Sequence, residues 1–122
     1  MSPIRYPLDE HIDPALRAQL LRHAPELVVW RIGDPGAPGW GTLDPAILLW
    51  CEANEFLLVT ANRKSMPGHL QAHLRAGHYI LGILVLHPNM TLSAIIDELL
   101  LIWGASEASE YCDLLLYLPL TY

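Results

Sequence analysis

The chain has 122 residues, with seven Lys and Arg against thirteen Asp and Glu, a formal charge of −6 and a pI near 5.3. With 52% hydrophobic and only 16% charged residues, there is enough apolar surface to offset the entropy of ordering, which excludes an intrinsically disordered chain. The length predicts a single domain over 1–122, and the acidic balance excludes a broad basic face for nucleic acid, so any contact with a phosphate backbone must be local or bridged by metal.

Tyr6 to Leu8 is a short candidate strand, followed by Asp9-Glu10-His11-Ile12-Asp13-Pro14. Asp13 reads as an N-cap with Pro14 in the first turn, opening a helix that runs to about His23. Leu27 to Ile32 has strand length, and Gly33 to Leu43 is a long glycine- and proline-bearing loop. Asp44-Pro45 repeats the N-cap signal, with Ile47, Leu48, Trp50 and Cys51 forming the buried side of a helix that ends near Asn54. Phe56 to Thr60 is a third strand, apolar throughout as suits a strand covered on both faces. After the polar stretch Ala61 to Pro67, Gly68 to Ala76 reads as a helix stopped by Gly77, and Ile80 to Leu86 as a fourth strand.

Thr91 caps a helix whose apolar residues Leu92, Ile95, Ile96, Leu99, Ile102 and Trp103 follow i, i+3, i+4 spacing. Leu100 and Leu101 widen that stripe, which fits either a partner surface or deep burial in the chain's own core. Ser106 to Tyr111 reads as a short helical turn, and Asp113 to Leu118 as a last strand closed by Pro119. Alternating strands and helices of this kind predict an α/β domain with a mainly parallel central sheet between helical layers.

Met1 to Arg5 leads into no apolar signal core, and the most apolar stretch, Thr91 to Trp103, is broken by Asp97 and Glu98, so neither secretion nor a membrane span is expected. Cys51 and Cys112 lack metal-finger or CxxC spacing. The cytoplasm is the expected compartment.

In a parallel sheet the ligand crevice lies at the carboxyl ends of the strands. Three polar groups fall there: Asp9-Glu10 after the first strand, Asp44 at the head of a helix, and Thr60-Ala61-Asn62-Arg63 after the third strand. Gathered carboxylates repel one another, and a hard divalent cation such as Mg²⁺ or Mn²⁺ is the usual reason to gather them. Such an ion orients water and stabilises charge developing on a phosphodiester. Each residue also has a plainer reading: Asp44 as an N-cap, Asp9-Glu10 as a solvated turn, Asn62 as a turn residue. His69 and His73 lie four apart on a predicted helix and, with His78, offer weak metal-ligand spacing without the intervening acid of a zincin. Arg63, Lys64 and Arg75 with these histidines make the stretch from Arg63 to His78 the best candidate for touching phosphates. No GxSxG elbow, P-loop or GxGxxG pattern is present.

The segments Arg5-Tyr6-Pro7-Leu8-Asp9-Glu10-His11, Leu43-Asp44-Pro45-Ala46-Ile47-Leu48 and Leu57-Leu58-Val59-Thr60-Ala61-Asn62-Arg63 resemble, in order, the PIN-like family. Its members carry a DEN motif after the first strand, an Asp ahead of the second helix, and a T-x-D or T-x-N motif after the third strand. The likeness continues through Ser65-Met66-Pro67-Gly68-His69-Leu70, Gly82 to Leu86 and Leu116-Tyr117-Leu118-Pro119-Leu120.

The resemblance implies a three-layer α/β/α PIN-like fold and a Mg²⁺- or Mn²⁺-dependent endoribonuclease of the VapC-type toxins, neutralised by a small antitoxin. By the same resemblance Asp9, Asp44 and Asn62 would be metal ligands, Thr60 a hydrogen-bonding support, and Glu10 an accessory acid. Arg63 or Lys64 would steer RNA, water would attack, and the apolar Leu92 to Trp103 helix would serve a second copy or another partner. Three departures stand out: Asn62 is neutral where many relatives have aspartate, His11 replaces the asparagine of the motif, and Pro7 interrupts the first strand. They leave open a second expectation, a weak or inactive PIN-like module that works by binding.

Overall fold

The computed structural model describes residues 4–120. Residues 1–3, the start of the segment read above as lacking a signal core, and residues 121–122 lie outside that range. In chain order the elements are β1 (Tyr6–Leu8), α1 (Ala15–His23), β2 (Val29–Arg31), α2 (Asp44–Asn54), β3 (Leu58–Thr60), α3 (Met66–Arg75), β4 (Ile83–Val85), α4 (Leu92–Ala105), a 3₁₀ turn (Ala108–Tyr111) and β5 (Leu115–Tyr117). The five strands form one sheet in the order β2-β1-β3-β4-β5, and every pairing in it is parallel.

Strand alternation builds the two faces. Leu57, Val59, Leu84 and Leu86 point to one side, where they pack with Leu16 and Leu20 of α1 and Ile96, Leu99 and Ile102 of α4. Leu58, Ile83 and Val85 point to the other, against Ile47, Leu48 and Cys51 of α2 and Met66 and Leu70 of α3. The result is three layers, helices on both faces of the sheet. Burial pushes the Cys51 thiol far above its ordinary value, so this cysteine behaves as a small apolar side chain. Tyr6 reaches through the first face to donate its hydroxyl proton to the Leu99 carbonyl at 2.7 Å, tying β1 to α4.

Pro7 sits inside the sheet because its missing N–H falls on one side only. β1 pairs with β2 over three residues, whereas with β3 the register is the single pair Leu8 and Val59. The Leu57 N–H to Arg5 carbonyl and Asp9 N–H to Val59 carbonyl bonds, both 3.0 Å, hold the β3 side around the gap.

Three expected helix starts move. α2 has Leu43 at its N-cap and Asp44 in its first turn, and no side chain caps it, so the Asp44 carboxylate is released for another use. α3 begins at Met66 rather than Gly68, because Pro67 lies in the first turn, where a helix needs no N–H from it. α1 begins at Ala15 with Pro14 at its N-cap, and Asp13, one residue earlier than a cap, accepts the Ala15 N–H at 2.9 Å; only Thr91 caps as expected, accepting the Ala94 N–H at 3.1 Å. Gly77, at φ 90°, follows the end of α3. α4 buries Ile96, Leu99 and Ile102 and leaves Leu101 exposed on its outer side. Among the described residues no helix is long and apolar enough to cross a membrane.

Candidate functional site

The chain leaves β1 through α1 to reach β2 on one side, and later leaves β3 through α3 to reach β4 on the other. α1 and α3 lie on opposite faces of the sheet. The carboxyl ends of β1 and β3 therefore flank the switch point, where diverging connections open a crevice. Asp9 and Thr60 stand at those two ends.

Asp9 is buried at 8% exposure. One of its oxygens accepts the Glu10 N–H at 2.8 Å, and the other accepts the Thr60 hydroxyl proton at 2.9 Å. The Thr60 oxygen, fully buried, in turn accepts the Asn62 N–H at 3.1 Å. Asn62 donates from Nδ2 to Asp44 Oδ2 and to Ser65 Oγ, each at 2.7 Å, while its Oδ1 accepts the Ser65 N–H at 3.1 Å. The opposite amide orientation would set oxygen against the Asp44 carboxylate and NH₂ against a backbone donor, so this network fixes the assignment. A continuous chain Asp9–Thr60–Asn62–Asp44 thus links two carboxylates that lie 35 positions apart by number.

Asp9, Glu10, Asp44 and Asn62 line one open cavity of 670 Å³, together with His11 and His69 and without any Lys or Arg. Glu10 is engaged there: its carboxylate accepts the Gly41 N–H at 3.0 and 3.3 Å, which ties down the end of the glycine-rich loop. Arg31 holds the other side of the turn through the Glu10 and Ile12 carbonyls and lies over the Trp40 ring at 5.8 Å. Asp9 has no cationic partner among the described residues, and the nearest candidate for Asp44 is His69, its Nε2 at 3.8 Å from Oδ2.

The three histidines do not converge. His69 turns to Asp44 at the rim. His73, buried one helical turn deeper, places Nε2 2.9 Å from Glu52 Oε1 and 2.8 Å from the Tyr79 carbonyl, and His78 Nδ1 lies 3.1 Å from the same Glu52 oxygen. The two rings stack at 4.9 Å. Among the described residues no three His, Cys, Asp or Glu side chains form a ready-made metal cage. Arg63 and Lys64 also lie apart from the acids, on a neighbouring groove.

A hard cation nevertheless suits the oxygen donors present. Mg²⁺ is ordinarily held by one or two carboxylates, with water and substrate phosphate completing its shell, and Asp9 and Asp44 offer that number. Asn62 is a weaker ligand than a carboxylate because its oxygen is neutral, and one of the two lone pairs of that oxygen already accepts the Ser65 N–H.

Gly41 enters the site unforeseen, and Ser65 and His69 enter it through partners, Asn62 and Asp44, that the sequence did not assign to them. Ser65 follows Asn62 by three residues, the spacing of a local Asx turn, and that was the one available signal. The sequence groups His69 with His73, His78 and the basic stretch from Arg63, whereas its place in the first turn of α3 sets it at the rim against Asp44. No family model, curated protein or solved structure matches this chain at a significant level.

Proposed function

We propose that this chain is a Mg²⁺- or Mn²⁺-dependent endoribonuclese-type enzyme, an endoribonuclease of the PIN-like, VapC-type toxin class acting in the cytoplasm. The observation that carries the reading is the Asp9–Thr60–Asn62–Asp44 chain, which brings two carboxylates to one cavity at the switch point, Asp9 without a cationic partner among the described residues and Asp44 with only His69 at 3.8 Å. Carboxylates so placed are costly unless something positive joins them.

Asp9 and Asp44 would hold the ion, which when bound supplies charge for the developing phosphorane oxygens and acidifies water. Thr60 would support both sides, its hydroxyl proton fixing the Asp9 rotamer while its oxygen accepts the Asn62 N–H. Asn62 would orient Asp44 through its amide N–H, and the lone pair of its Oδ1 not used by Ser65 would be its one means of meeting the ion. Glu10 would keep the glycine-rich loop closed over one side, as its bonds to Gly41 indicate. Arg63 and Lys64 would draw RNA from the adjacent groove. The exposed Leu101, with the half-buried Leu100 and Trp103, makes α4 the surface for an antitoxin or a second copy of the chain.

The neutral Asn62, already bonded to Asp44 and Ser65, also favours a second reading, a PIN-like module of low or no activity that acts by binding. One experiment separates them. Purified protein, Asp9→Asn and Asp44→Asn are incubated with single-stranded RNA and Mn²⁺; the enzyme reading expects cleavage by the wild type and a loss on the order of 10²-fold or more in each variant. Equal cleavage by all three, or none by any, counts against it.

A further inference from the structure

Next to the acidic cavity, and sharing His11, Ala61 and Asn62 with it, runs a second groove of 460 Å³ between the start of α1 and the start of α4. We propose that this groove seats the base of the nucleotide adjoining the phosphodiester held at Asp9 and Asp44. The inference rests on the nuclease reading for its place in the reaction, but its binding test does not depend on cleavage.

The chemistry of the two hollows differs in kind. The acidic cavity has three carboxylates and no Lys or Arg, whereas the groove has Arg63 and Lys64 and a single acid, Asp13. That acid is already committed, since Asp13 Oδ1 accepts the Ala15 N–H that opens α1. Leu16, Leu86, Met90, Leu92 and Ile95 supply an apolar lining. Such a lining rejects a free metal ion and gives inorganic phosphate nothing to pack against, while a flat heterocycle suits it, methionine sulfur included.

The cationic side fits the phosphates that flank such a base. Arg63 is held over the Tyr117 ring at 4.9 Å, so its guanidinium is already ordered, and neither Arg63 nor Lys64 has a carboxylate partner among the described residues. His87 supplies a polar handle. Its Nδ1 accepts the Asn89 N–H at 3.0 Å, so in the neutral ring the proton sits on Nε2, a donor for a carbonyl or ring nitrogen on a base edge. An acidic, leucine-rich peptide would match the apolar lining and the positive side as well, but would find no use for continuity with the acid pair. That continuity favours the nucleotide.

The test uses the full chain in EDTA, which removes cleavage from the measurement. The four ribonucleoside 5′-monophosphates, ribose 5-phosphate, inorganic phosphate and a peptide of alternating leucine and glutamate are titrated separately, with backbone and methyl NMR shifts as the readout. At least one nucleotide is expected to shift Met90, Leu92 and Ile95 and to bind roughly fivefold or more tightly than ribose 5-phosphate, the scale set by burying a few apolar contacts. Met90→Ala and Ile95→Ala are expected to remove most of that advantage, and Lys64→Ala to weaken nucleotide and ribose 5-phosphate alike. Should Ile95→Ala lose its folded spectrum, Met90→Ala and the shift map decide the matter. Equal binding of ribose 5-phosphate and nucleotides, shifts confined to other surfaces, no binding, or a response to the peptide alone would each overturn the proposal. Loss of RNA cleavage in Asp9→Asn is scored separately, so a failed groove and a failed nuclease are told apart.

Discussion

At position 62 an amide performs a task that a carboxylate cannot. Asn62 donates to Asp44 at 2.7 Å, so an aspartate there would replace a hydrogen bond with two anions in contact. The Asn62→Asp variant is expected to melt lower than the wild type in EDTA, by on the order of 5 °C, because a lost hydrogen bond to a charged group costs about 1.5–3 kcal/mol and like-charge repulsion adds to it. Added Mn²⁺ should then raise its melting temperature more than that of the wild type, since the third carboxylate strengthens binding to the native state. Thermal melts of both proteins in EDTA and across a Mn²⁺ series check this. Identical melting temperatures in EDTA, together with identical metal responses, would mean that the amide is not holding Asp44 and that no cation shares the pocket.

Asp34 does at the level of elements what Asn62 does within the site. It lies just past β2, where both of its oxygens accept from the Arg17 guanidinium on α1 and Oδ2 also accepts the Arg31 N–H at 2.8 Å, so one carboxylate pins α1 and the glycine-rich loop together. Partial burial pushes its pKa upward, but the Arg17 hydrogen bonds, the Arg31 N–H and the two positive charges outweigh this and hold the carboxyl below its ordinary value. Because the folded value is depressed, the stabilisation is fully present above the unfolded value of about 3.9 and is lost as pH falls through the folded one. The gap in melting temperature between wild type and Asp34→Asn should accordingly be widest near neutral pH and shrink below about pH 4. A gap that stays constant from pH 7 to pH 3 would sink this account.

Such ties also mark the limit of what was legible in the sequence. Asp9, Asp44 and Asn62 were found because each follows or opens a recognisable element, and the parallel α/β class followed from alternation. The bond from Asn62 to Asp44 was not legible, because it depends on which strands become neighbours. Local chemistry named Asp44 an N-cap for the same reason, and Arg63 and Lys64 could not be assigned to a separate groove. The third and fourth strands are shorter than their apolar runs because Phe56 donates its N–H to the Cys51 carbonyl at the end of α2 and Ile80 donates its own to the Asp113 side chain.

Over the whole molecule, a net charge of −6 leaves few cations to hold RNA, and most of the seven Lys and Arg are unsuited to it. Arg17 is paired with Asp34, Arg31 is folded against the Glu10 and Ile12 carbonyls, and Arg5 bonds the Asn54 carbonyl and lies over Phe56. Arg22 and Arg75 are in the last turns of α1 and α3, which in a parallel α/β layer face away from the carboxyl ends of the strands. Arg63 and Lys64 remain. For single-stranded RNA each phosphate neutralised adds about −0.7 to the slope of log K against log salt, so two contacts give about −1.4. Fluorescence anisotropy of a short labelled RNA on Asp9→Asn in EDTA, across a KCl series, should return a slope of that size. A slope of roughly −4 or steeper would require a basic surface the fold does not present, and would detach RNA binding from the groove beside the acids. A shallow slope instead makes the nonspecific attraction weak, so that under the proposed reading affinity would have to come from metal at the two carboxylates and from apolar contact with a base in the adjoining groove.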